Sequence, residues 1–387
     1  MSRKPHLRAL TGLRFLAALH VVLMHRALQY LGWAPTWTRN VAAAGYTGVS
    51  LFFVLSGFVL AYTYLEPGER QSIERRRFWA ARFARVYPVY LVSLLVALPA
   101  FAGLALLRGG ADLGPETSPG KIALTTLTLT QSWSWTTVWQ WNSPGWSLSA
   151  EAFFYAAFPL IVPALLRYAR GRLLWAAGVL WLLALLPPAL YLLTHADGGT
   201  AASRDPTLMS IKFHPVLRIP EFVMGVVLGK LFLDRSAAPS SSPAPRWAAE
   251  TAAGAILLLL AASPALPFVL LHNGLLAPLF ALLIFGLAGG RGPLARMLSH
   301  PGLVLLGEAS YALYLLHQPL WLWVTSLGHV NPLARQPTGF FVGYIVITLV
   351  ASIAVLQLVE KPSRKVLRKR LHPGVNEPPA AVPPLAA

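Results

Sequence analysis

Apolar runs long enough to cross a bilayer, which takes about 20 mostly apolar residues, recur ten times along this chain. They fall at roughly 8–31, 44–65, 85–107, 145–168, 172–194, 212–233, 248–266, 274–289, 302–326 and 338–360. Inside hydrocarbon no water satisfies bare amides, so each run is committed to helix. The chain therefore reads as an all-α, polytopic membrane bundle of about ten transmembrane helices. Only 12% of residues are charged, against 56% hydrophobic, roughly half the charged share of a soluble chain. Cysteine is absent, which excludes disulfides, thiolate nucleophiles and Cys-ligated metals; no metal is expected.

The formal charge of +18 raises the question of nucleic acid, and its placement answers it. With the N-terminus in the cytoplasm, the segments alternating onto that side hold 23 of the 32 Lys and Arg, and the opposite loops hold seven. That is the positive-inside asymmetry, so nucleic acid falls away as a partner and the lipid bilayer takes its place. Both termini are expected to be cytoplasmic. The opening MSRKPHLRALTGL lacks a small-residue cleavage site and reads as part of a retained span. Residues 1–362 form one membrane domain, followed at 363–387 by a basic, then Pro- and Ala-rich tail without fixed structure. The loop Ala237–Pro245 reads as flexible. Ile122 to Thr130 is too short and Thr-rich to cross alone and is expected to be re-entrant or packed at the surface.

The first run carries two ionisable groups, Arg14 and His25. Such groups inside a span are expensive enough to be functional candidates. Eleven positions apart, almost three helical turns, they share one face roughly 16 Å apart along the axis. His20 points elsewhere. Counting residues from the outer ends of the spans puts His25, Glu151, Arg218 and Glu221 in one layer. In that layer a neutral imidazole suits a general base for a hydroxyl group. A carboxylate, Glu151, would orient it as in a triad. Ser147, Asn142, Tyr155 and Arg218 are all candidate oxyanion donors, with nothing to choose among them. Ion pairing, Arg218 with Glu221 and His25 with Glu151, explains the same layer without chemistry.

Other polar positions have two readings each. Ser56 and Gly57, mid-span, suit close helix approach. His317 either lines a passage or hydrogen-bonds in packing. The tryptophans of TLTQSWSWTTVWQWNSPGW, up to Trp146, serve as an interfacial belt or as stacking faces for sugar rings. On the inner side Arg76, Arg77, Arg82 and Arg85 belong to a cluster whose guanidinium groups suit phosphate; the plainer role is stop-transfer and lipid contact.

Taken together these stretches resemble the acyltransferase family 3 membrane enzymes, along nearly the whole chain from Leu10 to about Pro362. Arg14 and His25 match the family's Arg-ten residues-His pattern. Gly48–Leu60 (GVSLFFVLSGFVL), Arg82–Tyr90 (RFARVYPVY) and Trp146–Tyr155 (WSLSAEAFFY) match further signatures, with RIPEFVMGVVLG and SYALYLLHQPL as weaker ones. The resemblance implies O-acylation of bacterial surface glycans or of macrolide sugars in the cytoplasmic membrane. It implies acyl-coenzyme A, acetyl-coenzyme A first, as donor, and a carbohydrate or a glycosylated small molecule as acceptor. His25 would be catalytic with Arg14 as its partner, Arg82 and Arg85 would serve the donor at the cytoplasmic side, and Glu151 would belong to the outer site. Thr11 departs from the family's Asp just before Gly12-Leu13-Arg14. With no hydrolase-like domain in the sequence, a stand-alone member is expected. The rival reading is a proton-coupled transporter relaying through His25, Glu151, Arg218 and Glu221, which usually shows paired repeats; none is visible.

Overall fold

The computed structural model describes residues 4–66, 73–107, 117–237, 247–327 and 337–371. The loop at 238–245 and the tail beyond Leu371 lie outside them. Sixteen α-helices, and no strand among the described residues, make up the chain. In order they are α1 (Arg8–Arg26), α2 (Thr36–Ala43), α3 (Thr47–Tyr64), α4 (Arg75–Leu107), α5 (Pro119–Leu127), α6 (Trp146–Leu165), α7 (Arg170–Thr194) and α8 (Pro206–Phe213). Then follow α9 (Pro215–Ala237), α10 (Ala248–Ala261), α11 (Phe268–His272), α12 (Ala277–Ala288), α13 (Pro293–Leu298), α14 (Pro301–Leu327), α15 (Thr338–Val355) and α16 (Lys361–Leu371).

Each expected apolar run is helical, but six stretches are long and apolar enough to cross a membrane: Thr36–Tyr64, Arg75–Gly103, Ser143–Leu165, Gly171–Thr194, Phe268–Ala288 and Thr338–Val366. Three of the expected spans outside that set, α1, α9 and α14, are those that carry Arg14, His25, Arg218, Glu221 and His317. The fourth, α10, is short. Helices that turn polar groups inward lose average hydropathy for that reason, which is why a hydropathy criterion passes them over.

Small residues set the helix contacts. A Cβ built on Gly57 of α3 would lie 2.0 Å from the Phe222 carbonyl oxygen, and one on Gly225 of α9 would lie 2.0 Å from that of Val54. Backbones thus touch where Val54, Phe58, Phe222 and Val226 are fully buried, the small-residue packing expected between helices in lipid. Gly12 is pressed likewise on the Leu298 carbonyl, and Gly307 on that of Thr11, fixing α1 against α13 and α14.

Of the prolines inside helices, Pro159 and Pro319 each free a carbonyl that finds a side chain. Pro159 leaves the Tyr155 oxygen without its amide, and the Trp79 indole donates to it at 3.1 Å. Pro319 does the same to Leu315, whose oxygen accepts from Asn142 Nδ2 at 3.1 Å.

The segment 119–145 folds back along α4. Ser118 caps α5 through the Lys121 amide, with Pro119 at its first position. From there α5 runs down beside α4: Tyr90 donates to the Thr126 oxygen at 2.9 Å and Tyr87 to that of Leu127 at 3.0 Å. Gln131 then bonds Tyr90 Oη at 3.1 Å and the Gly145 carbonyl at 2.8 Å. Consequently α6 begins at the level of Tyr90, some 17 residues or about 25 Å below the far end of α4.

Candidate active site

That low start relocates Glu151. It lies with Arg14, Arg82 and Arg85 around a cavity of about 110 Å³ that is also lined by Ser56, Ser147, Tyr155, Tyr311 and Tyr314. Counting depth from the end of the span assumed that α6 starts at the surface; it starts deep, so Glu151 and His25 do not meet. The Glu151 carboxylate accepts from Ser56 Oγ at 3.2 Å and from the Tyr155 hydroxyl.

Three guanidinium groups face this cavity from two helices. Arg82 Nη2 donates to Tyr64 Oη at 3.2 Å, and its guanidinium carbon lies 5.5 Å from that ring's centre. Arg14 and Arg85 make no hydrogen bond or ion pair with a described residue and point their charge at the lumen. Arg82 and Arg85 share a face of α4 because they are three residues apart. Arg76 and Arg77 are exposed instead, Arg77 bonding Glu74 at 2.9 Å, and neither reaches the cavity. Beside it Glu360 (2% exposed) pairs with Arg364 of α16. This pair was missed because the stretch EKPSRK reads as tail; a carboxylate right after the last apolar run was the available signal.

At its far end the cavity is closed by Ser147, whose hydroxyl donates to Tyr314 Oη at 2.9 Å, and by Phe52, 6.1 Å from the Tyr314 ring. One turn further along α14 lies His317, and its ring centre is 5.1 Å from that of His25. His25 is accessible, and its Nδ1 bonds the Val21 carbonyl at 2.8 Å. A carbonyl only accepts, so Nδ1 carries the hydrogen, and in the neutral ring Nε2 holds the lone pair. The orienting group is therefore a backbone oxygen one turn back, in place of the expected Glu151. Next to it Arg26 bonds the Gln318 side chain and covers the Trp321 ring at 4.8 Å.

Arg218 and Glu221 form a third, separate cluster. They pair at 2.9 Å, 1% and 2% exposed. Arg218 also donates to Ser50 Oγ at 2.8 Å, to the His272 carbonyl at 2.7 Å and to Asn273 Oδ1. Neither lines the cavity or touches His25, so the single layer expected for His25, Glu151, Arg218 and Glu221 divides into three sites. His272 and Asn273, polar residues inside an apolar run, were the unread signal for this one. Trp146 packs edge-on against Phe213 at 4.7 Å, while Asn142 bridges Ser93 and Leu315. Both hold the segment 119–145 and the start of α6 in place. Trp133 and Trp135 of that segment are exposed, whereas Trp141 stacks on Phe101 at 4.7 Å.

No cluster of potential metal ligands occurs among the described residues. No solved structure matches the chain. The chain is 30% identical over 95% of its length to an acyltransferase of Streptomyces mycarofaciens, MdmB, covering 94% of that protein. It is 29% identical over 82% of its length to the exopolysaccharide production protein ExoZ of Rhizobium meliloti, covering 89% of it. A putative O-acetyltransferase of Staphylococcus aureus is 24% identical over 93% of the chain, which spans 58% of that relative. Residues 7–357 match the family described as an acyltransferase domain. An Arg-lined cavity, an oriented imidazole and this match along nearly the whole chain lead to one conclusion: the chain belongs to acyltransferase family 3 and is an O-acyltransferase.

Proposed function

We propose that this enzyme moves an acyl group, acetyl first, from cytosolic acyl-coenzyme A to a hydroxyl of a carbohydrate on the other side of the bacterial cytoplasmic membrane. In this reading about ten helices span the bilayer, with both termini inside, and the basic end that holds Arg82 and Arg85 faces the cytoplasm. The membrane domain is taken as 1–362 and residues 363–387, which begin inside α16, as a cytoplasmic tail.

The observation that carries the proposal is the alignment of three arginines, a cavity and an imidazole along one path. Arg14, Arg82 and Arg85 bear excess positive charge suited to the phosphates of a nucleotide thioester. Beyond Ser56, Glu151 and Tyr155, the path meets Tyr314 and then the two histidines. Tyr314 closes the route, and its displacement would let the thioester arm reach His25. There the acceptor hydroxyl gives its proton to His25 Nε2 as its oxygen attacks the thioester carbonyl. The C–S bond then breaks, and the leaving thiolate takes the proton from the His25 imidazolium. No free acyl group has to cross the membrane. Exposed Trp133 and Trp135 favour a saccharide acceptor, since aromatic faces stack on sugar rings.

His25→Ala is the test. In a strain that relies on the plasmid-borne enzyme, the variant should reach wild-type membrane abundance, still bind acetyl-coenzyme A in detergent, and leave envelope glycans without ester acetyl groups by mass spectrometry. Full acetylation by a folded variant would remove the basis of the proposal.

A further inference from the structure

One buried atom beside the path has no role in the steps above. His317 is 0% exposed, and its Nδ1 bonds the Tyr314 carbonyl at 2.7 Å, so this ring too carries its lone pair on Nε2. That Nε2 makes no hydrogen bond. The backbone is held as well, since Tyr344 Oη donates to the His317 carbonyl at 2.8 Å. A histidine retained only for packing needs the Nδ1 bond alone, and leaving an acceptor buried and unpaired costs stability.

The surroundings of His25 say what such an atom is for. Among the described residues no carboxylate pairs with His25. The charged and titratable groups facing the two rings are Arg26 on α1, Tyr314 on α14 and Tyr344 on α15, with Tyr30 close to Arg26. None of them is an anion that could offset an imidazolium, and Arg26 opposes one. His317, with its centroid 5.1 Å away and its plane tilted by 52°, is the neighbour whose unused lone pair can.

We infer that His317 is a positioning residue that supplies the electrostatic part of a triad carboxylate's role, although the Val21 carbonyl holds the Nδ1 side of His25: the free Nε2 lone pair of the neighbouring ring stabilises the His25 imidazolium during transfer. This rests on His25 being the base, as proposed above. His317 neither gains nor loses a proton in the step; the acceptor's proton passes to His25 Nε2 and on to the departing thiolate. A fixed dipole acts strongly because the His317 ring is fully buried, with little water to screen it.

Two conservative variants separate this role from packing. His317→Asn keeps a nitrogen donor near the Nδ1 position for the Tyr314 carbonyl but has nothing at Nε2. His317→Gln does the reverse, placing an amide oxygen where the lone pair was. Purified protein is assayed with acetyl-coenzyme A as donor and glucan oligosaccharides as acceptor, following released thiol; a chain with no cysteine gives no background to a thiol reagent. His317→Asn is expected to lower kcat about tenfold to a hundredfold with the KM for acetyl-coenzyme A unchanged, and His317→Gln to retain most of the rate. Equal rates for both variants and wild type, or a greater loss in His317→Gln, overturn the inference. If His317→Asn does not fold, His317→Gln is compared with His317→Leu, and a Gln variant no faster than the Leu variant overturns it. Absence of thiol release by the wild-type enzyme instead removes the proposed function, and this inference with it.

Discussion

Gly57→Ala tests the helix seam on which the cavity is built. An added Cβ meets the Phe222 carbonyl oxygen at 2.0 Å and the Val226 amide nitrogen at 2.8 Å, where ordinary contact begins at 3.4 Å. Both are backbone atoms, so no side chain can swing aside, and α3 and α9 must part by about 1.4 Å along that line. A gap of ~0.5–1 Å already forfeits a quarter to a half of the dispersion attraction between facing atoms. Val54, Phe58, Phe222 and Val226, all at 0% exposure, lose contact together. In lipid no hydrophobic term compensates, and the loss comes to about 2–4 kcal/mol. The thermal midpoint in detergent should drop by about 5 °C or more. Transfer should fall as well, because Ser56, the next residue, bonds Glu151 at 3.2 Å. Gly178→Ala in α7 is the matched control, since its new methyl meets nothing within 4 Å and should leave the midpoint unchanged or slightly higher. If the two variants melt alike, the seam does not hold the bundle as argued.

Further outcomes follow from the same geometry. Arg85→Ala should raise the KM for acetyl-coenzyme A about tenfold, the worth of one charge-assisted contact, while Arg77→Ala, exposed and paired with Glu74, should leave it within about twofold; equal effects in steady-state kinetics would remove the donor from the cavity. Glu221→Leu should cost about 3–5 kcal/mol by stranding a buried guanidinium, seen as loss of monodisperse protein in size exclusion, and Arg218→Met combined with it should restore folding. A single variant as stable as the pair would mean that the ion pair does not hold the fold as read here.

The helical class, the apolar runs and seven polar residues of the cavity, Arg14, Ser56, Arg82, Arg85, Ser147, Glu151 and Tyr155, are legible in the sequence, whereas Tyr311 and Tyr314 are not. Period, length and the placement of Arg and Lys carry that information locally. What was not legible was which of those residues meet. Glu151 was assigned to His25 because depth was counted from span ends. The folded-back segment displaces the start of α6, and only the hydrogen bonds of Tyr87 and Tyr90 to it, and of Gln131 within it, reveal that. The tautomer of His25 does not depend on Glu151, because a local carbonyl, Val21, sets it one turn away. Of the two ion pairs that the sequence offers as the plainer reading, Arg218 with Glu221 forms and His25 with Glu151 does not, and the further partners of Arg218, Ser50, His272 and Asn273, come from two other elements. Long-range partners of this kind leave no local pattern to read.

Pro159 and Pro319 bear on how a closed passage can open. Each removes a rung from its own helix within about a turn and a half of a cavity tyrosine, Tyr155 on α6 and Tyr314 on α14. Bending at either place breaks no bond of the helix itself, because that bond was never made; it asks only that Trp79 or Asn142 release one oxygen. Both walls of the passage are thus hinged on contacts that a single side chain can let go and remake, so the way through can widen for a substrate and shut behind it while the rest of the bundle stays still.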